Sequence, residues 1–204
     1  AARMMWARAV AAFSPEAGEA ARMRIHARTA LANKSIYDPY TNLLRVTTEA
    51  LAAAIGGCDS MEVVPARFSA RMARNVQLVL KEEAHLYAVS DPAGGAYYVE
   101  WLTDALARDG WALFQQIEAQ GGFSKAQELI EAQVAASRAA KEKAIATRRK
   151  TMVGVNNYPD TKERALDAAE ALGTPWRQAQ AIEAVRLRTE RHAKAAGKTP
   201  RVLL

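Results

Sequence analysis

Arg24, His26 and Arg28 stand two residues apart in the segment MRIHARTA, with an imidazole between two guanidinium groups. In an extended strand alternate side chains share a face. A strand over 23–30 therefore puts these three on one side and Met23, Ile25 and Ala27 on the other. Three such groups are costly to bury without partners. Turned inward, the face predicts a polar or anionic ligand. The like charge on both sides disfavours protonation of His26, which leaves a neutral imidazole to donate to a carbonyl oxygen. Turned outward, the same pattern is an edge strand with its polar face in water.

The other chemical candidates are weaker. Asp59 follows Gly56-Gly57-Cys58 and precedes a predicted strand. It sits either at the mouth of a barrel or as a turn-stabilising carboxylate. Glu82, Glu83 and His85 lack the paired histidines of a helical zinc site and read as a solvated helix end. Cys58, the only cysteine, reads as a small buried hydrophobe, since no base stands near it in the sequence. One cysteine forms no intrachain disulfide, which points to a reducing, cytoplasmic setting. The glycine pairs do not match a phosphate-cradling GxxxxGK loop. No residue is assigned a catalytic role, and no metal site is expected.

Hydrophobic periodicity and breakers supply the elements that must position these groups. Helices are predicted over 1–13, 41–55, 68–85, 99–119, 124–149 and 178–195, and strands over 23–30, 60–64 and from 201 onward. The helix over 41–55 is expected to bury Leu44, Leu51 and Ala52 and to stop at Gly56-Gly57. The helix over 68–85 carries a stripe of Met72, Val76, Val79 and Leu80. Asp91-Pro92 followed by Gly94-Gly95 forms a corner, and the bulky Tyr97, Tyr98, Val99 and Trp101 behind it predict a packed one. The helix over 99–119 shows Leu102, Leu106, Leu113 and Ile117 on one side. Its interior Gly110 costs about 1 kcal/mol relative to alanine, so a close packing contact is expected there. Residues 152–160 read as a short extended segment and turn.

Helix, strand, helix, strand, helix is the rhythm of a βα fold with a parallel sheet. A closed eight-stranded barrel takes about 250 residues. This chain of 204 residues is therefore expected to be α/β, as a small open unit or as part of a barrel. Half of its residues are hydrophobic, many of them alanine, which favours helix. The net charge of +6 would suit a polyanion or a phosphate-bearing ligand. The basic residues are mixed with acids along helices, so a solvated surface is the simpler reading and no nucleic acid is expected. No apolar run is long enough for a membrane span. The apolar, arginine-bearing start has helical spacing and no clear cleavage pattern, and reads as a helix, not a targeting peptide. The chain opens without methionine and stops on the apolar Val202-Leu203-Leu204, which predicts a segment of a longer protein.

The strings RIHARTA, NKSIYDPYTNLLRVTTEALAAAIGGCDSM, FSARMARNVQLVLKEEAHL, DPAGGAYYVEWLTDALA and VGVNNY, in this order, resemble the methylmalonyl-CoA mutase family over residues 1 to about 158. The resemblance implies a partial (β/α)8 TIM barrel: its acyl-CoA-binding C-terminal part over 1–123 and a mostly helical linker over 124–198. TPRVLL at 199–204 resembles the start of the family's cobalamin-binding domain. The implied activity is that of the full assembly, the adenosylcobalamin-dependent radical isomerisation of (R)-methylmalonyl-CoA to succinyl-CoA. The segment alone is expected to be inactive. His26 matches a substrate-contacting histidine, and Arg24, Arg28 and Asp59 join it as implied acyl-CoA contacts. Arg28 and Asp59 both stand where catalytic chains usually have glutamine. Between Met61 and Phe68 the family usually has a longer connection than EVVPAR. With NKSIYDPY, these departures resemble the non-catalytic small subunit, whose partner is a catalytic subunit; a second copy of the chain is the other implied partner. The cobalamin-anchoring D-x-H-x-x-G motif does not occur in these residues, so no direct cofactor ligand is expected among them.

Overall fold

A computed structural model describes residues 1–16, 18–160, 162–163 and 176–198. The strand expected from 201 onward, the implied domain start at 199–204 and most of the polar stretch 161–173 lie outside the described residues. Among the described residues, six α-helices and two short strands follow in the order α1 (Ala2–Phe13), β1 (His26–Arg28), α2 (Pro39–Ile55), β2 (Ser60–Glu62), α3 (Ala70–Leu78), α4 (Tyr97–Ala119), α5 (Gln127–Ala146) and α6 (Gln180–Ala196). The α/β alternation of the early chain is as expected, with helix dominating. Both strands are shorter than predicted, and Arg24 lies before β1. They pair in parallel. The Asp59 and Ser60 N–H groups donate to the Ile25 carbonyl, and the Thr29 N–H donates to that of Glu62. No described helix is long and apolar enough to cross a membrane.

The chain divides into two compact units. One comprises Ala1–Ala27, Ala52–Met61 and His85–Ala136; the other comprises Arg28–Leu51, Glu62–Ala84 and Ser137–Leu204. In the first, α1 packs on α4. A Cβ at Gly110 would lie 3.1 Å from Met5 Sδ and 3.2 Å from Met5 Cε, so the glycine inside α4 marks a close approach, as its position predicted. Arg8 of α1 lies over the Trp111 ring at 5.1 Å, a cation–π contact. The Trp6 indole N–H donates to the Ala20 carbonyl at 2.8 Å and ties the following loop to α1.

This unit buries little else. Among its described residues Ala126 is the only buried hydrophobic one. The expectation of a packed aromatic corner is not met. The turn forms, with the Gly94 N–H donating to the Asp91 carbonyl, but Tyr97 is 93% and Trp101 65% exposed. Turn chemistry is local and legible in five residues. What would cover the rings behind it is not supplied by this unit.

The second unit holds most of the core. Ile145, Met152 and Ala179 pack together with Val155 and Ile182 against them. Helix α2 turns a different face inward from the one expected. Asn42, Val46 and Ala50 are buried, while Leu44 is 67% exposed and Ala52 is also exposed. The cause is polar: the Asn42 amide accepts from the Ser35 N–H at 3.0 Å and donates to the Ser35 carbonyl at 2.7 Å. Helix α3 starts where Ser69 caps the Met72 N–H and buries Ala73 and Val76. Met72 and Val79 of the expected stripe are exposed. A π-helical turn, Val79–Glu83, follows in place of a continuous α-helix. Residues 152–160 form the predicted turn, with an isolated bridge between Val153 and Asn157 in place of a longer extended segment. The Asn156 amide folds them back by accepting from the Met152 N–H and donating to the carbonyls of Ile145 and Lys150. Helix α5 begins at Gln127, three residues later than predicted.

Candidate functional site

The residues around the start of β1 are held by one arginine that sequence reasoning passed over. Arg3 of α1 donates through Nε to the Met23 carbonyl at 3.2 Å, through one terminal nitrogen to the Gly57 carbonyl at 2.7 Å, and through the other to Asp59 at 2.7 Å. Gly57 has φ of 71°, a left-handed conformation that glycine adopts without strain. That turn presents both its carbonyl and Asp59 to the guanidinium. The fork geometry of arginine suits this task; a lysine at position 3 could not reach all three acceptors.

Asp59 also accepts from the Ile25 N–H at 2.7 Å. This backbone hydrogen bond first, and Arg3 next, hold its carboxyl below the ordinary value of 3.8. The turn-stabilising alternative for Asp59 is thus the one the fold uses. A carboxyl with a lowered value adds stability that is complete above 3.8 and is lost as pH falls through the folded value. Acidification below pH 3.8 is therefore expected to free the Ile25 amide. The protection factor of the Ile25 amide, taken against the intrinsic exchange rate at each pH, should fall there and already be low at neutral pH in Asp59→Ala; unchanged protection in that variant would contradict the assignment.

His26 is exposed, and its Nδ1 lies 2.8 Å from the Ser60 hydroxyl on β2. That contact orients the ring. Arg28, also exposed, pairs through Nε with Glu62 at 2.8 Å. Both side chains of the pair are about half exposed, so it is worth at most about 1 kcal/mol and chiefly neutralises Arg28. Arg24 lines a cavity of about 730 Å3 in the first unit together with Arg3, Arg22, Glu19 and Asp59. The first unit thus brings Arg24 and Asp59 together and places His26 on the adjoining strand, while Arg28 belongs to the second unit. Glu82 pairs with Lys81 in solvent, as a helix end does. Cys58 is half-buried.

In the second unit, residues 33–39 lie between the predicted strand over 23–30 and the predicted helix over 41–55. They form a buried ionic and hydrogen-bonded seam. Lys34, with no exposed surface, pairs with Glu49 at 2.7 Å and donates to Asn33 at 2.6 Å. The Ile36 N–H donates to Glu183 at 2.8 Å, and Glu183 pairs with Arg177 at 2.7 Å. Tyr37 donates to Glu190 at 3.1 Å and lies under the Arg186 guanidinium at 3.8 Å. The available signal was Ile36-Tyr37, two large apolar residues inside a turn sequence.

The methylmalonyl-CoA mutase family model matches residues 1–201. The chain belongs to the methylmalonyl-CoA mutase family. Within it, the chain is 41% identical over 99% of its length to a probable methylmalonyl-CoA mutase small subunit of Mycobacterium bovis, of which it covers 35%. It is 38% identical over its whole length to the methylmalonyl-CoA mutase small subunit of Porphyromonas gingivalis, of which it covers 36%. A methylmalonyl-CoA mutase of Escherichia coli is 35% identical over 94% of the chain, which covers 28% of that relative. The chain thus spans about a third of the length of these methylmalonyl-CoA mutase relatives.

Proposed function

We propose that the chain is the C-terminal part of the acyl-CoA-binding (β/α)8 barrel, residues 1–123, and the helical linker, residues 124–198, of a small-subunit-type methylmalonyl-CoA mutase chain. It acts in an assembly that interconverts (R)-methylmalonyl-CoA and succinyl-CoA, in cytoplasmic propionate metabolism. The observation that carries the small-subunit reading is Asp59. Its carboxylate is occupied by the Ile25 N–H and by Arg3, and the neighbouring departure, Arg28, is neutralised by Glu62. Both stand where catalytic chains usually have glutamine, and an acceptor-only carboxylate or a donor-only guanidinium does not reproduce the paired donor and acceptor of an amide. His26 and Arg24 are the groups left open to a thioester or carboxylate.

Adenosylcobalamin supplies the radical chemistry of the family. In this reading the cofactor belongs to the full assembly. The first unit offers a surface for that partner or for the rest of the barrel, since Trp6, Tyr97, Tyr98, Trp101 and Phe123 are all exposed. Of these, Tyr98 and Trp101 stack with ring centroids 6.2 Å apart, and exposed apolar surface of this kind marks contact sites.

The test uses the whole parent subunit and its catalytic counterpart. Co-elution of the two, isomerase activity only in the mixture, and no cobalamin absorbance change with the small subunit alone are expected. Turnover by the small subunit without its partner overturns the reading.

A further inference from the structure

A second cavity, of about 530 Å3, lies wholly within the second unit, and Arg45, Lys150, Thr151 and Gln178 stand in its wall. No aspartate or glutamate lines it among the described residues. Arg45 is partly buried, yet its guanidinium donates only to neutral acceptors, the Asn42 side-chain oxygen at 2.8 Å and the Val153 carbonyl. The three acids whose charge reaches it are Asp38, Glu49 and Glu183. Each is committed elsewhere: Asp38 to the Thr41 amide and hydroxyl, Glu49 to Lys34, and Glu183 to Arg177. No carboxylate among the described residues accepts a hydrogen bond from the Arg45 guanidinium, so its remaining N–H groups are open to an anion.

Lys150 supplies a second charge to the lining, and its backbone is held in place. The Lys150 N–H donates to the Ala144 carbonyl at 2.9 Å, and its carbonyl accepts from the buried Asn156 amide at 2.7 Å. Its ammonium makes no ion pair with the described residues. The Thr151 hydroxyl accepts from the Asn157 amide at 2.9 Å, so its own hydrogen is left to donate. The Gln178 side-chain amide is also uncommitted among the described residues. Two cations, a hydroxyl donor and an amide donor therefore line one space, in which no described acid stands.

We propose that this cavity binds a phosphate group, either as the free ion or as the terminal group of a small phosphate monoester. Two positive charges match a dianion, and donors from several sides match its tetrahedral oxygens better than they match the flat monoanion of a carboxylate.

The full chain is titrated with sodium phosphate, with glycerol phosphate and with sodium acetate, each against sodium chloride at equal ionic strength. The readouts are the thermal midpoint and calorimetric binding. Phosphate is expected to raise the midpoint saturably, and acetate is not. Tighter binding of the monoester assigns the cavity to a metabolite's terminal phosphate; equal or weaker binding assigns it to the free ion. Lys150→Glu, at an exposed position, is expected to keep the chloride midpoint and weaken phosphate binding by about tenfold or more, while Lys150→Arg retains it. Arg45→Gln adds a second loss where it folds; Lys150→Glu decides the matter where it does not. Equal phosphate binding by wild type and Lys150→Glu, acetate binding as tight as phosphate, or no shift beyond that of chloride overturns the proposal.

Discussion

Glu183→Ala is expected to destabilise the chain by about 3–5 kcal/mol, the range for removing one partner of a buried ion pair. Glu183 and Arg177 expose 4% and 9% of their side chains. Glu183 also accepts from the Ile36 N–H and from Arg177 at 2.9 Å. Alanine leaves a buried guanidinium whose Nε already lacks a partner among the described residues, together with an orphaned backbone N–H. Glu183→Gln keeps an acceptor for Ile36 and should recover part of the loss. Replacing both partners by apolar residues should cost less than Glu183→Ala alone, because the penalty comes from the uncompensated charge and not from the missing attraction. Urea midpoints of the three variants measure this. A Glu183→Ala midpoint within experimental error of wild type would show that the seam does not form.

The second large effect is expected at Glu49, and it depends on pH. Glu49→Ala removes the carboxylate from Lys34 and from the Ala30 N–H, which it accepts at 3.1 Å. The loss at neutral pH should be about 3 kcal/mol or more. Burial already pushes Lys34 below its ordinary value of 10.5, opposed by the hydrogen bond and charge of Glu49. Without Glu49 both opposing causes vanish, and Lys34 sheds its proton at lower pH still. Where the folded lysine is neutral and the unfolded one is charged, the unfolded state binds more protons, so stability rises with pH. That rise ends at 10.5 and should begin at lower pH in Glu49→Ala than in wild type. The deficit of the variant therefore shrinks as pH increases. Tyr37 acts in the opposite sense. Burial and then Glu190 raise its phenol above the ordinary 10.0, so it loses stability only above that pH. Denaturation series kept below pH 10.0 separate the two. A difference between Glu49→Ala and wild type that is independent of pH would contradict a charged, buried Lys34.

Recognition by motif and folding by contact read different parts of the same chain. RIHARTA, GGCDS and DPAGG are short strings with strong backbone preferences, and the turns at Gly57 and Asp91 form where they predict. Helices are similarly local, and α1, α2, α4 and α6 lie within two residues of their expected limits. Periodicity did less well in choosing the buried face. In α2 it favoured Leu44, and the fold chose Asn42, because an amide that satisfies both polar groups of Ser35 can be buried whereas an unpaired one cannot. The roles of Arg3 and Glu183 were not legible at all. Their partners lie far along the chain, at Asp59 and at Ile36, and nothing in a charged residue's neighbourhood names a distant acceptor.

Amino-acid order alone determined the family, the helix–strand alternation, the close approach at Gly110 and the histidine placed between two arginines, because each depends on residue type or spacing over a few positions. Only the tertiary structure decided that Asp59 ties helix α1 to the residue before β1, that residues 33–39 form a buried seam, and that Arg45 faces a cavity lined by no described acid. These are outcomes of burial, and burial is set by which distant groups satisfy one another once water has left.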